Sequence, residues 1–184
     1  MLRAAVILLS LTFVAPVQAT EAGWALLREG EQVVLMRHAM SPGAAEPAAF
    51  SIDDCKTQRR LSDRGRQQAR KIGSLFSARA ASTERVLSSR YCRALETGAI
   101  AFRDNEVEPV EALDLLKTDE QAAAGQVSAV MEEIRAYSGS GNLVMITHLE
   151  NIKALTGVTA REGEAVIVRP EGDGLHVLGR VVFN

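Results

Sequence analysis

Residues 32–39 read QVVLMRHA, a short apolar run that ends abruptly at an arginine and a histidine. Residues 33–36 are all apolar and begin with β-branched side chains, which predicts a strand buried on both faces of a parallel sheet. Arg37 and His38 then lie at the carboxyl end of that strand, and in open α/β sheets this end is where ligands bind. The stretch therefore predicts a rigid element that presents a cation and an imidazole at a crevice.

Similar apolar runs recur along the chain and alternate with segments of helical period. The runs at 85–88, 107–110 and 143–146 predict further strands, and helical patterns occupy 62–79, 93–102 and 118–137. Residues 163–169 and 175–183 predict an antiparallel hairpin at a sheet edge, because a Pro- and Gly-rich turn joins them. This alternation predicts an α/β fold, a three-layer α/β/α sandwich with a mostly parallel central sheet.

The first 19 residues have the features of a signal peptide. Arg3 supplies one positive charge, an apolar stretch of about ten residues follows, and small side chains precede a cleavage point after Ala19. An uncleaved anchor helix is the alternative, although the run is short for a membrane span. We expect a signal peptide over 1–19, a single domain over 20–184, and a periplasmic or secreted location.

The overall charge limits the classes of partner. Removing residues 1–19 takes away one arginine and no acid, so the formal net charge moves from −2 to −3. This mild balance does not indicate a nucleic acid or an anionic membrane surface as partner. No later apolar run is long enough to hold the cleaved chain in a membrane.

The two cysteines, Cys55 and Cys92, both follow the predicted cleavage point. In an exported chain an even count favours a disulfide, which here would tie the long loop after His38 to the segment that carries Arg93. Two buried free thiols are the alternative. The cysteines and histidines lack the spacing of a zinc site, so we predict neither a metal nor a cofactor.

Three of the predicted strands end in basic or polar side chains. Arg37 and His38 follow the first, Arg93 lies in the segment after the second, and His148 follows the strand at 143–146. Because the carboxyl ends of parallel strands meet at one edge, these groups would repel one another unless an anion lies among them. A phosphoryl group fits best, since the planar fork of arginine matches its oxygens. A neutral histidine there can act as a nucleophile and form a covalent phosphoryl intermediate.

Four motifs in this order resemble the histidine phosphatase superfamily, which includes the phosphoglycerate mutases. The motifs are Arg37-His38-Ala39, the stretch LSDRGRQQA at 61–69, the segment 89–97 with Arg93-Ala94, and Thr147-His148. The resemblance covers about residues 31–169. It implies that His38 is phosphorylated while Arg37, Arg93 and His148 hold the phosphoryl group.

The same resemblance implies an acidic proton donor after the second arginine, where the chain offers Glu111 and Asp114. Asp114 is the candidate acid. The implied activity is that of a metal-independent phosphomonoester hydrolase of the histidine acid phosphatase type, acting on a small-molecule phosphate ester. The predicted exported location, rather than the resemblance, makes an envelope sugar phosphate the expected substrate. The alternatives are a phosphohistidine or phosphoprotein phosphatase, and a non-catalytic phosphate-binding protein. Ala39 and Leu149 stand where many members of the family have glycine.

Two further basic groups are expected to lie outside the chemistry. His176 falls in the predicted edge hairpin and is expected to be structural. The pair Arg59-Arg60 is expected to be solvated rather than to clamp a substrate, although the long loop could bring it to the pocket.

Overall fold

The computed structural model describes residues 16–183, with side chains from residue 20 onward. Most of the predicted signal peptide lies outside the described residues, so cleavage after Ala19 stays a prediction. Within residues 16–183, no helix combines the length and the apolar character that a membrane crossing requires.

Across this range, strands and helices alternate as the sequence predicts. In chain order they are α1 (Pro16–Glu29), β1 (Val33–Arg37), α2 (Asp63–Ala78), β2 (Thr83–Ser88), α3 (Cys92–Ala101), β3 (Val107–Pro109), α4 (Glu120–Ala136), β4 (Asn142–Thr147), α5 (Leu149–Thr156), β5 (Ala165–Glu171) and β6 (Gly174–Val181). The strands form one six-stranded sheet in the order β3-β2-β4-β1-β5-β6. The pairs β1–β4, β2–β4 and β2–β3 are parallel, and β1–β5 and β5–β6 are antiparallel. The predicted α/β fold and its edge hairpin are confirmed.

Strand side chains alternate between two hydrophobic cores, one on each face of the sheet. Val34 and Met36 of β1 face the core formed with α1, α2 and α3, whereas Val33 and Leu35 face the core formed with α4 and α5. All four are buried, which explains why β1 reads as a continuous apolar run rather than as an alternating one. The helices therefore cover both faces and fix the three layers.

Side-chain caps set where two of the helices begin. Ser62 Oγ accepts a hydrogen bond from Gly65 N at 3.0 Å, which confirms the predicted start of α2. At α4 the cap is Asp119, whose Oδ1 accepts from Ala122 N at 2.8 Å, so the helix begins just inside the predicted range of 118–137. The carboxylate is also a favourable partner for the positive end of the helix dipole.

Parallel pairing brings the ends of three strands together at one edge of the sheet. Arg37 pairs with Thr147, and Ser88 pairs with Ile146. The next residue of each strand continues the ladder: His38 N donates to Thr147 O at 3.1 Å, and Ser89 N donates to Ile146 O at 2.8 Å. The residues that follow β1, β2 and β4 are thereby adjacent.

Candidate active site

His38 is buried at the end of β1, with one ring nitrogen free to attack an electrophile. Its Nδ1 lies 2.8 Å from Ala39 O, which can only accept, so Nδ1 carries the proton and donates. Nε2 therefore keeps its lone pair and accepts from Arg93 Nε at 3.2 Å. Burial lowers the pKa of His38 to about 3, and the charges of Arg93, Arg37 and Arg59 act in the same direction against the opposing effect of the Ala39 bond. The imidazole is consequently neutral and oriented.

His148 is fixed in the opposite tautomer. Its Nε2 lies 2.9 Å from Ser89 Oγ, whose own proton is donated to Asp114 Oδ1 at 3.0 Å. His148 Nε2 must therefore be the donor, and Nδ1 accepts from Arg93 Nη2 at 3.2 Å. Burial holds the pKa of His148 well below its usual value, and the nearby Arg93 adds to the effect.

Arg93 joins the two histidines through a single guanidinium. It is the second residue of α3 and only 1% exposed. Its Nε and Nη2 donate to His38 and His148, while Nη1 donates to Glu46 Oε1 at 2.6 Å. The guanidinium also lies over the Tyr91 ring, 4.9 Å from its centroid. Each of its donor nitrogens thus has a defined partner.

Arg37 approaches the same crevice from the last position of β1. Its Nη1 donates to Ala160 O at 3.0 Å, and its Nη2 lies 3.9 Å from Glu162 Oε1. Its Nε is buried and has no hydrogen-bond partner within the described part of the chain. A buried donor without an acceptor carries a desolvation cost.

The long loop after His38 is fastened at both ends. At its start, Gln68 Oε1 accepts from Met40 N at 3.0 Å, and Gln68 Nε2 donates to Glu162 O at 2.8 Å. Towards its end, the disulfide between Cys55 and Cys92 joins the loop to the first residue of α3, with the two Cα atoms 5.7 Å apart. The predicted disulfide is therefore present in the structure.

Arg59 and Arg60 have different surroundings, although the sequence groups them. Arg59 lines the pocket and holds the loop by donating to Pro42 O at 2.9 Å and to Ser41 O at 3.0 Å. The expectation of a solvated residue is wrong for Arg59, because the long loop turns back over it. Arg60 instead pairs with Glu96 at 3.3 Å and is about half exposed, as expected.

Asp114, the candidate acid, lies behind the pocket rather than in it. Its carboxylate accepts from Ser89 Oγ at 3.0 Å, from Arg90 N at 2.7 Å and from Arg90 Nε at 2.7 Å. Leu115, the next residue, faces the cavity. Glu111 is exposed and pairs with Arg90 at 3.2 Å. The arrangement suits Asp114 to orient His148 through Ser89, not to reach a substrate.

The pocket between these elements has a volume of about 360 Å³. Its charged and imidazole lining consists of basic groups and carboxylates. The basic groups are Arg37, His38, Arg59, Arg93 and His148, and the carboxylates are Glu46, Glu150 and Glu162. The sequence predicts a bound anion as the countercharge of the basic cluster, whereas in the structure Glu46 and Glu162 place carboxylates beside Arg93 and Arg37. Glu46 and Glu162 were missed, because both lie in loops where no periodic pattern marks them.

The backbone adds to the attraction for an anion. The helices α3 and α5 begin at Cys92 and Leu149, directly beside Arg93 and His148. Helix N-termini carry partial positive charge and free N–H groups. Among residues 16–183, no group of three or more His, Cys, Asp or Glu side chains is placed to hold a metal ion.

Fold and site together define an α/β sandwich with a pocket lined by arginine, histidine and glutamate side chains at the carboxyl ends of its parallel strands. The family model for the histidine phosphatase superfamily (branch 1) matches residues 33–120, just under half of the chain. That match includes Arg37, His38 and Arg93. A comparison with curated protein sequences found no match.

Several solved structures share the fold. The protein histidine phosphatase SixA complexed with tungstate is 20% identical, with a TM-score of 0.55 over 82% of this chain and 96% of the other. The alpha-ribazole phosphatase from Shigella flexneri is 16% identical, with a TM-score of 0.62 over 83% and 96%. Phosphoserine phosphatase from Entamoeba histolytica, in complex with 3-phosphoglyceric acid, is 13% identical, with a TM-score of 0.59 over 82% and 96%. The predicted phosphoglycerate mutase-like fold is thereby confirmed.

Proposed function

We propose that this chain is a member of the histidine phosphatase superfamily and hydrolyses phosphomonoesters through a phosphohistidine intermediate on His38. The observation that carries the proposal is the orientation of His38: its Nδ1 proton is donated to Ala39 O, and its unprotonated Nε2 accepts from Arg93 Nε, which also lines the pocket. A nucleophile needs this combination of a neutral ring and a fixed direction.

The surrounding groups suit the transfer of a phosphoryl group. Arg93 and Arg37 line the pocket and supply the guanidinium groups that match its oxygens. In phosphoryl transfer, positioning and stabilisation of the equatorial oxygens account for most of the catalysis. With these cations in place, the proposed reaction requires neither a metal nor a cofactor.

The reaction proceeds in two displacements at phosphorus. In the first, His38 Nε2 forms a bond to phosphorus while the bond to the ester oxygen breaks, which releases an alcohol. In the second, water attacks the phosphohistidine, the N–P bond breaks, and inorganic phosphate leaves. The tungstate bound by the SixA structure is a tetrahedral oxyanion, and a site of this kind in the present chain would accept phosphate in the same way.

The proposal is tested with an activated aryl phosphate, in the presence of a chelator. We expect turnover by the wild type, inhibition by vanadate, and no turnover by His38→Ala. Rapid quenching with labelled substrate should trap acid-labile phosphate on the wild-type chain. His176→Ala is the matched control, because His176 lies on the edge strand β6 and is half exposed there. Turnover by His38→Ala, or loss of wild-type turnover restored by added metal, would contradict the mechanism.

The natural substrate and the location extend the same proposal. The signal-peptide pattern of residues 1–19 supports export to the periplasm or beyond, and an envelope sugar phosphate is then the small-molecule ester within reach. A panel of phosphorylated envelope metabolites tests this extension. The second candidate is a phosphohistidine phosphatase. At this position the apolar Leu115, rather than the carboxylate of Asp114, faces the pocket. Imidazole leaves phosphorus more readily than an alkoxide does, so a phosphohistidine substrate has less need of an acid there.

A further inference from the structure

Glu46 places a carboxylate inside the pocket from the long loop after β1. Its side chain is only 15% exposed, and both of its oxygens are occupied. Oε1 accepts from Arg93 Nη1 at 2.6 Å, and Oε2 accepts from Arg59 N at 3.1 Å. The side chain is therefore held in one orientation rather than extended into solvent.

The guanidinium that holds Glu46 also touches the nucleophile. Arg93 donates from Nη1 to Glu46 and from Nε to His38 Nε2, the latter at 3.2 Å. A phosphoryl group seated between His38 and His148 would take the Nε and Nη2 edge of Arg93 and leave Nη1 on Glu46. Glu46 lines the same pocket as His38 and His148, so its carboxylate would then remain in the cavity that receives the phosphoryl group.

Among the described residues, the other acidic groups near the pocket make no hydrogen bond to Arg93. Glu162 accepts from Ser41 N at 3.1 Å and lies beside Arg37. Glu150 is exposed on the first turn of α5. Asp114 is enclosed by Ser89 and Arg90. Within the described chain, Glu46 is the carboxylate hydrogen-bonded to the arginine that contacts His38.

We infer that Glu46 is the proton-transfer residue of the reaction, the acid for the leaving oxygen and then the base for the attacking water. This inference rests on the proposed function and adds a catalytic residue to it. The assignment replaces Asp114, whose carboxylate lies behind His148.

The proton balance closes over the two displacements. As the bond between phosphorus and the ester oxygen breaks, protonated Glu46 gives its proton to that oxygen, and a neutral alcohol leaves. Water then attacks the phosphohistidine and gives one proton to the Glu46 carboxylate. The N–P bond breaks, Glu46 passes that proton to the departing phosphate, and both neutral His38 and the Glu46 carboxylate are restored. A substrate that arrives as the monoanion supplies the proton that Glu46 gives to the leaving oxygen in each cycle.

A proton donor accelerates the release of a poor leaving group, such as an alkoxide, much more than that of a good one. The test therefore compares the effect of removing the donor on two substrates that differ in their leaving group. The kcat/KM of Glu46→Gln is compared with that of the wild type on an alkyl phosphate and on 2,4-dinitrophenyl phosphate. Glutamine keeps an oxygen to accept from Arg93 but cannot exchange the proton. We expect a loss of about 10²- to 10⁴-fold on the alkyl ester, in the range of general acid catalysis, and a loss below about tenfold on the aryl ester.

Two comparisons separate this inference from the proposed function. Glu132→Gln, an exposed position on α4, should match the wild type on both substrates. His38→Ala should be inactive on both; if it is not, the proposed function fails. If His38→Ala is inactive but Glu46→Gln loses equally on both esters, or loses nothing, Glu46 transfers no proton and the inference is overturned. Wild type that cleaves only the activated ester overturns it as well. Glu46→Ala gives the same ratio if Glu46→Gln does not fold.

Discussion

Asp114 reaches His148 only through the hydroxyl of Ser89. That hydroxyl donates to Asp114 Oδ1 at 3.0 Å and lies 2.9 Å from His148 Nε2. Because a hydroxyl has one proton to give, the carboxylate at one end determines which nitrogen of the imidazole at the other end is protonated. Three residues from the ends of different elements thus act as one unit, and the lone pair of His148 is directed at Arg93.

This unit predicts that Ser89→Ala impairs catalysis without touching a substrate. The change leaves a buried acceptor on Asp114 and a buried donor on His148 without their partner, at a cost of about 1–3 kcal/mol for each unsatisfied group. We expect a fall of about tenfold or more in kcat and a mixture of His148 tautomers in ¹⁵N-resolved NMR. Ser74→Ala, at an exposed position of α2, is the control. A single unchanged tautomer would show that Ser89 does not orient His148.

The free energy of unfolding should decrease on acidification more steeply than it would if His38 had the pKa of an ordinary histidine. The pKa of His38 is about 3 in the folded protein, against the ordinary histidine value of 6.5 that applies once the chain is unfolded. Between these values the unfolded chain binds a proton that the folded chain does not. The free energy of unfolding therefore decreases as the pH falls, by about 1.4 kcal/mol per pH unit from this group. Urea unfolding at pH 6 and pH 4.5 measures the slope. His38→Gln should flatten it, and equal slopes for the two proteins would refute the shift.

Arg93→Lys should be a severe change despite the retained charge. Lysine has one ammonium group, whereas Arg93 donates from three nitrogens to His38, Glu46 and His148. We expect kcat/KM to fall by about tenfold to a thousandfold, as for the removal of one transition-state donor. Arg85→Lys, which alters an arginine paired with Glu108 on the surface, serves as the control. An unchanged rate for Arg93→Lys would place this arginine outside the reaction.

The disulfide should stabilise both the fold and the pocket. It closes 37 residues of chain, for which the loop-entropy relation gives about 4 kcal/mol. The double variant Cys55→Ser with Cys92→Ser should unfold at lower urea concentration and lose activity, since the loop that carries Glu46 and Arg59 is no longer tied to α3. Reductant should affect the wild type but not this variant. Thiol titration of denatured, unreduced protein should find none; two thiols per chain would contradict the bond.

Much of the site follows from the sequence because strand ends carry it. Two of the site residues, His38 and His148, come directly after buried strands, and Arg93 lies in the segment after a third. Parallel pairing of these strands places their carboxyl ends side by side, so the three residues must be close together. The prediction of a basic crevice at one edge of the sheet needs only the order of the elements.

What the sequence does not predict depends on the path of a loop. Glu46 lies eight residues beyond His38 in a stretch without period, and its approach to Arg93 results from the disulfide and from the bonds of Arg59. The placement of Asp114 has a similar cause. Two consecutive residues after a short turn face opposite ways, so that Leu115 rather than Asp114 enters the cavity.

The loop after β1 is anchored by Gln68 at its start and by Cys55 near its end, while residues 43–49 between them are exposed except for the half-buried Glu46. The groups proposed to hold phosphorus belong to the sheet and its helices, and the group inferred to serve the departing alcohol belongs to this loop. Lineages could therefore exchange one short surface segment and alter both which ester is accepted and how readily it is released. The apparatus for phosphate itself would be inherited unchanged.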